Sequence, residues 1–299
     1  MSLTTMIGDI QFKNPIIGAS GTVAYGKELA KHYDLSVLGG ISVKGMTIEP
    51  RSGNTGVIYY PTPSGLMNSV GLKNPSVGYF VERIYPHLKK IDLNIIANTA
   101  GSTIEDYLKV IEQLNRTDVP IIELNISCPN VKEGGMAFGV KCDSAKEIVT
   151  AARQTTDKHL MVKLSPNAEN IQDMAVTCVE AGADSLSLIN TISALAIDVH
   201  QRKAVFNNIT AGLSGPAIRP IALRMVRDVA QVVDVPIVGI GGIENYEHVL
   251  AFIMAGATAV QVGSANHDNP MVMPQIIHDL ERYMAREGLQ SLDTIRGII

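Results

Sequence analysis

A cysteine in a short polar motif is the first feature of this sequence that could do chemistry. Cys128 lies in Asn125-Ile126-Ser127-Cys128-Pro129-Asn130, directly after an apolar run. A lone cysteine is most often a small buried hydrophobic residue. Here it stands beside polar residues, and Pro129 restricts the backbone. A thiol that ionises readily in such a loop can act as a base or as a nucleophile.

Two lysines also stand at the ends of apolar runs. Lys44 follows Gly40–Val43, and Lys163 lies within Leu160–Leu164. A lysine at such a position is costly to bury unless it meets an anion, although it can also extend to solvent at the rim of the fold. Inside a pocket, a lysine can stabilise the negative charge of a reduced flavin. It can instead form a Schiff base, as in an aldolase.

Two glycine-containing turns indicate a phosphate site. Gly241-Gly242 and Gly263-Ser264 each follow a short apolar run near the end of the chain. Either turn alone is adequately explained as a tight turn. Together they expose backbone amides at two neighbouring positions, which is typical of phosphate binding in barrel proteins.

Four asparagines suit a flat ligand that has several amide-like edges. They are Asn68, Asn98, Asn125 and Asn190. A carboxamide offers both donors and an acceptor, so a group of them can match such a ligand. Each asparagine alone is equally well explained as a turn or cap residue.

The elements that must position these residues alternate along the chain. Eight short apolar runs are predicted as strands: Pro15–Ala19, Gly40–Val43, Asn94–Asn98, Ile121–Asn125, Leu160–Leu164, Ser185–Ile189, Ile237–Ile240 and Ala259–Val262. Helical spacing of apolar residues predicts helices at Val77–Leu88, Thr103–Leu114, Asp143–Arg153, Glu169–Ala181, Ala217–Val232, Asn245–Ala255 and Pro270–Glu287. This alternation predicts an α/β fold, a (β/α)₈ TIM barrel whose polar residues follow the strand ends. A doubly wound open sheet is the alternative, but the Gly-rich dinucleotide turn expected after its first strand is missing.

Two long segments interrupt the alternation. Arg51–Pro75 and Ile192–Ser214 are predicted as long loops over the carboxyl-terminal face of the barrel, and loops of this length are usually functional. No linker-like composition divides the chain, so residues 1–299 are predicted to form a single domain.

Composition excludes several classes of protein. The 299 residues carry 25 basic and 29 acidic side chains, a net charge of −4, which disfavours a nucleic-acid partner. No signal peptide or membrane anchor is recognisable, and three cysteines suit a reducing cytoplasm. Cys142 and Cys178 are interpreted as structural, and no metal site is expected because the cysteines lack ligand spacing and accompanying histidines.

Taken together, these motifs resemble those of the dihydroorotate dehydrogenase family, the flavin enzymes of pyrimidine synthesis. The resemblance extends from Lys13-Asn14-Pro15 to Asn269-Pro270. Its most specific segments are Glu123–Asn130, Leu66–Pro75, Leu188–Thr191 and Gly212–Ile218. Cysteine at position 128 resembles the soluble class, since the membrane-associated class has serine there together with an N-terminal extension.

The resemblance implies an FMN-containing barrel that oxidises (S)-dihydroorotate to orotate. It assigns Cys128 as the base that takes a proton from C5 while hydride leaves C6 for the flavin. The residues expected to hold FMN are Ser20, Lys44, Gly45, Asn98, Asn125, Lys163, Ile189, Gly215, Gly241, Gly242, Gly263 and Ser264. Those expected to hold the substrate are Lys44, Asn68, Ser69, Val70, Gly71, Leu72, Asn125, Asn190 and Thr191.

Within the soluble class, the segment Lys132–Gly139 resembles the NAD-linked type. That type implies a partner subunit carrying FAD and a 2Fe-2S cluster, in an assembly with two of each chain built around a homodimer of this one. The alternatives are a fumarate-linked enzyme and an FMN dehydrogenase of another dihydropyrimidine. A Schiff-base lyase using Lys163 and a scaffold subunit with a degenerate site are hypotheses of other classes.

Overall fold

Eight parallel strands form a closed barrel. The computed structural model describes residues 2–127 and 138–299, so Cys128 and most of Lys132–Gly139 lie outside the described residues. The barrel strands are β1 (Ile16–Gly18), β2 (Gly40–Ser42), β3 (Asn94–Thr99), β4 (Ile121–Asn125), β5 (His159–Lys163), β6 (Ser185–Leu188), β7 (Ile237–Ile240) and β8 (Ala259–Val262). Each strand pairs with its neighbours in the chain, and β8 pairs with β1 to close the ring.

The eight predicted strands are confirmed. The bounds of β4, β7 and β8 agree with the prediction, and the others differ by one residue at one or both ends. Closure between β8 and β1 rules out the open-sheet alternative, because an open sheet leaves two strands with unpaired edges.

Helices follow most of the strands, as the apolar spacing predicts. They are α1 (Ile104–Asn115), α2 (Cys142–Thr155), α3 (Ile171–Glu180), α4 (Arg219–Ala230), α5 (Tyr246–Met254) and α6 (Val272–Glu287). Before β3 the chain forms one helical run of Val77–Tyr79, the π-helical Phe80–Ile84, and Tyr85–Leu88. Shorter helical segments are Leu29–Lys31, Leu35–Val37, Pro216–Ile218, Ala265–Asp268 and Leu292–Ile295. No helix in residues 2–127 and 138–299 has both the length and the apolarity that a membrane crossing needs.

The residues at the start of α1 form a capping box that determines where the helix begins. Thr103 accepts a hydrogen bond from the backbone amide of Asp106, whose side chain accepts from the amide of Thr103 in return. This capping box satisfies amides that the first helical turn leaves unpaired. Tyr107, Ile111 and Leu114 recur on one face of α1 and are buried against the barrel.

The barrel interior is apolar at the amino-terminal ends of the strands and polar towards their carboxyl-terminal ends. At the amino-terminal ends of the strands an apolar cluster fills the centre, and it includes Ile17, Ile121 and Met161. The hairpin of Thr5–Ile7 and Ile10–Phe12 adds Ile7 and Phe12 to this cluster. Successive residues of a strand alternate between its two faces, so Glu123 and Asn125 share the inward face of β4 with Ile121. Polar residues therefore begin one layer above the apolar cluster.

The two long insertions are more ordered than the predicted loops. Tyr59–Thr62 and Gly65–Asn68 from the first insertion join Ile192–Leu195 and Thr210–Ser214 from the second in one antiparallel sheet, which we call the roof sheet. The insertions pair through Gly65–Asn68 and Thr210–Ser214. Two further short strands, Ile197–Asp198 and Lys203–Ala204, form a ladder within the second insertion.

Two glycines lie at the contact between the insertions. A Cβ atom on Gly65 would lie 2.2 Å from the carbonyl oxygen of Ser214, and one on Gly215 would lie 2.8 Å from the Cα of Gly65. These distances are too short for a side chain, so the close approach of the two insertions requires glycine at both positions.

Two glycines near the ends of β7 and β8 offer a matched test of packing. A Cβ on Gly239 would lie 2.4 Å from the ring of Phe252, whereas one on Gly263 has its nearest contact at 3.7 Å. We expect Gly239→Ala to lower the free energy of unfolding by about 1–3 kcal/mol, because the ring must shift. Gly263→Ala should change it by less than about 0.5 kcal/mol. Urea unfolding of both variants without added ligand checks this, and equal losses would contradict it.

Candidate active site

A cavity of about 260 Å³ lies at the carboxyl-terminal ends of the barrel strands. Every predicted FMN-binding and substrate-binding residue lines it: Ser20, Lys44, Gly45, Asn68, Ser69, Val70, Gly71, Leu72, Asn98, Asn125, Lys163, Ile189, Asn190, Thr191, Gly215, Gly241, Gly242, Gly263 and Ser264. The predicted base, Cys128, lies outside the described residues. In the chain it follows Ser127, which lies two residues after the end of β4.

The roof sheet contributes cavity residues that the sequence did not reveal. Tyr59, Ser193 and Thr210 line the cavity from its strands, and His267 lines it from the short helix after β8. The rings of Tyr59 and His267 meet edge to face, with centroids 5.8 Å apart. The strand-forming residues of the insertions are the sequence signal that could have found the roof-sheet residues. The strands that pair are far apart in the chain, so the sequence does not show that they form one sheet.

The Gly241-Gly242 turn after β7 lines the cavity with backbone atoms only. Gly241 and Gly242 have φ angles of 144° and 65°, which favour glycine. Arg219, the first residue of α4, donates a hydrogen bond of 2.8 Å to the carbonyl oxygen of Gly242. The Arg219 guanidinium thus fixes this turn, and its charge is paired with Glu244 at 3.3 Å.

The asparagines at the ends of β4 and β6 are joined through Ser127. The hydroxyl of Ser127 donates to Asn125 Oδ1 at 2.6 Å and accepts from Asn190 Nδ2 at 2.5 Å. The Tyr107 hydroxyl from α1 donates to the carbonyl oxygen of Asn125 at 2.7 Å. Two of the predicted substrate-binding carboxamides are therefore held in fixed positions before any ligand arrives.

A buried carboxylate lies among these polar residues. Glu123 is fully buried on the inward face of β4, and Lys163 is 6% exposed on the neighbouring strand β5. Burial by itself raises the pKa of the Glu123 carboxyl, but the charge of Lys163 and hydrogen bonds from neighbouring side chains hold that pKa below its usual range. Glu123 is the first residue of the motif Glu123–Asn130, but the sequence alone assigns it no role.

The two cysteines of the described chain lie away from the cavity. Cys142 is the first residue of α2 and is partly buried, and Cys178 is buried in α3. Burial raises the pKa of the Cys178 thiol to about 12, so this thiol stays protonated near neutral pH. Neither cysteine lines the cavity, which agrees with their interpretation as structural residues.

Comparison with known proteins identifies the family. A model of the family described as dihydroorotate dehydrogenase matches residues 2–284. The chain belongs to the dihydroorotate dehydrogenase family. It is 55% identical, over 98% of both chains, to a protein of Petrotoga mobilis named dihydroorotate dehydrogenase B (NAD(+)), catalytic subunit. Relatives of the same name in Bacteroides thetaiotaomicron and Geotalea uraniireducens are 48% and 44% identical, each over 99% of this chain and 98% of theirs.

The dihydroorotate dehydrogenase family implies a bound flavin, FMN, and the cavity residues fit one. Asn98 is fully buried and lines the cavity, and its Oδ1 atom has no hydrogen-bond partner within residues 2–127 and 138–299. A Cβ on Gly45 would lie 2.8 Å from that oxygen, so the close approach of residue 45 to Asn98 requires glycine. A flavin ring offers N–H and carbonyl groups to such an acceptor and to the Lys163 ammonium, and its phosphate suits the glycine turns.

The structural role of Cys178 can be tested by its reactivity. We expect Cys128→Ala/Cys142→Ala protein, which keeps only Cys178, to react with dithiodipyridine at least about a hundredfold more slowly when folded than in denaturant. The reason is that a buried, protonated thiol is exposed only by opening of the structure. Cys128→Ala/Cys178→Ala protein is the control, and its partly exposed Cys142 should react without unfolding. Fast reaction of Cys178 in the folded chain would contradict its assignment as buried and inert.

Proposed function

We propose that this chain oxidises (S)-dihydroorotate to orotate in the synthesis of UMP, using bound FMN and passing the electrons to NAD through a partner subunit. The observation that carries the proposal is the convergence of two lysines, four asparagines and two glycine turns on one cavity at the strand ends. Relatives 44–55% identical along almost the whole chain bear the corresponding name.

FMN would be held by residues from all around the barrel, with the glycine turns after β7 and β8 at its phosphate and Asn98 and Lys163 at its ring. When bound, FMN supplies the acceptor for the hydride of the substrate. Lys163 is 6% exposed, so water would screen its positive charge beside the ring only weakly. The other proposed contacts are those predicted from sequence, from Ser20 and Gly45 to Ile189 and Gly215.

The substrate would be held by carboxamides and a second lysine. Asn125 and Asn190, joined through Ser127, would present donors and acceptors to the imide and carboxylate edges of the dihydropyrimidine ring. Lys44 would add charge for the substrate carboxylate. Asn68, the last residue of a roof-sheet strand, and Ser69 through Leu72 after it would close the site. Cys128 would accept the proton from C5 of the ring.

The electrons would leave through a partner subunit that carries FAD and a 2Fe-2S cluster. The name "catalytic subunit" of the relatives supports a second subunit. In the described part of this chain, no three His, Cys, Asp or Glu side chains group as they would around a metal. We propose a homodimer of this chain within an assembly that has two of each subunit. Exposed apolar side chains of the second insertion, at Leu195, Ile197, Val199 and Ile209, support a protein contact there.

Two further sequence-based assignments stay predictions. These are the single domain over residues 1–299 and the cytoplasmic location. The spread of the barrel strands from Ile16 to Val262 supports the first, because one closed sheet uses almost the whole chain.

An anaerobic visible spectrum tests the reaction. We expect the purified chain loaded with FMN to show flavin absorption that bleaches on addition of dihydroorotate, because the substrate reduces the flavin without the partner. Dihydrouracil, which lacks the carboxylate, is the control and should leave the spectrum unchanged. Bleaching by dihydrouracil instead would point to another dihydropyrimidine, and failure to bind FMN would overturn the flavin assignment.

Replacement of the proposed base tests the role of Cys128. Cys128→Ala should keep FMN but reduce it with dihydroorotate at least about a hundredfold more slowly near neutral pH, because no group remains to take the C5 proton. Cys142→Ala is the matched control, since Cys142 lies outside the cavity, and it should react at the wild-type rate. Stopped-flow measurement of flavin bleaching gives both rates. An unchanged rate in Cys128→Ala would remove the residue from the role of base.

A further inference from the structure

Glu123 accepts hydrogen bonds from side chains on four other strands of the barrel. Ser42 and Asn98 donate to Oε2 at 2.6 and 2.5 Å. Ser187 and Gln261 donate to Oε1 at 2.8 and 2.9 Å. The carboxylate is fully buried, and removing an ion from water is costly unless its lone pairs are satisfied in this way. Nothing in the chemistry proposed above uses this group.

The carboxylate determines which way the Asn98 carboxamide faces. An ionised carboxyl group only accepts hydrogen bonds, so it must meet the amide nitrogen of Asn98 and never its oxygen. The Oδ1 atom of Asn98 therefore points elsewhere, and it is a buried acceptor with no partner in the described chain. Asn98 lines the cavity, so a ligand donor that replaces its present neighbours there would meet this acceptor. Leaving a buried acceptor unsatisfied is unfavourable, and a ligand that donates to it would remove this cost.

The same carboxylate balances the charge of Lys163. The Coulombic interaction with Lys163 is the largest influence that lowers the pKa of Glu123. The two residues lie on adjacent strands, where Asn125 of β4 is in register with Lys163 of β5. Without the anion, Lys163 would be a buried cation that meets no opposite charge from Glu123.

We propose that Glu123 is a positioning residue of the flavin site, which orients Asn98 as a hydrogen-bond acceptor for the flavin and places a negative charge opposite Lys163. It touches neither flavin nor substrate and acts only through these two side chains. This inference rests on the proposal that the cavity binds FMN. It assigns the buried carboxylate a task in binding the cofactor rather than in holding the barrel together.

Titration of the apoprotein with FMN, followed by flavin fluorescence, tests the proposal. Glu123→Gln should weaken FMN binding by at least about tenfold, because the neutral amide no longer fixes the Asn98 carboxamide or opposes the charge of Lys163. Gln261→Met is the matched control: it also removes a hydrogen bond to Glu123, but Gln261 does not line the cavity. It should keep FMN affinity within about threefold of wild type.

Comparison of the two variants separates positioning from a purely structural role, because each removes a hydrogen bond within the same cluster. Equal weakening of FMN binding in Glu123→Gln and Gln261→Met would overturn the proposal and leave Glu123 a structural residue.

An exchange of the two groups gives a second test that does not depend on the single variant folding. Asn98→Asp alone places two carboxyl groups in contact and should weaken FMN binding. In Glu123→Gln/Asn98→Asp, the amide donates to the carboxylate, whose second oxygen again faces the cavity as an acceptor. The double variant should therefore bind FMN at least about fivefold more tightly than Asn98→Asp, and no recovery would overturn the proposal. Wild-type protein that fails to bind FMN would instead overturn the proposed function.

Discussion

The closed ring of parallel hydrogen bonds is the constraint on which the rest of this structure depends. Pairing of β8 with β1 leaves no free edge and brings the carboxyl ends of all eight strands to one rim. Each strand can then contribute only one or two inward side chains near that rim. A site assembled in this way draws its lysines, asparagines and glycines from segments spread along the chain, from Ser20 to Ser264.

The buried carboxylate is the costliest consequence of this arrangement. A polar layer between an apolar cluster and a ligand cavity needs a group that satisfies several donors at once. Glu123 accepts hydrogen bonds from side chains on four strands, and its negative charge attracts the Lys163 ammonium. The opposite charges of Glu123 and Lys163 attract each other inside the barrel, which limits the free-energy cost of burying both.

Most of the fold and most of the cavity lining could be predicted from sequence, and the reasons are local. The strand and helix patterns repeat with clear periods, and Thr103 marks the start of α1 by its own side chain. The cavity residues follow because the strand ends of a barrel share one rim. The roof sheet could not be predicted, since the pairing of Met67 with Leu213 joins segments that no local period connects. The hydrogen bonds of Glu123 could not be predicted either, because only closure of the barrel brings its partners on four strands together.

The contact between the two insertions has a consequence for the exchange of parts between related proteins. Gly65 and Gly215 meet backbone to backbone, and neither position has room for a Cβ atom. A chimaera that receives only one insertion from a relative would pair two strands whose backbones are not adapted to such a close approach. The insertions therefore form one structural unit, although the 116 residues from 76 to 191 separate them in the chain, and grafts should transfer them together.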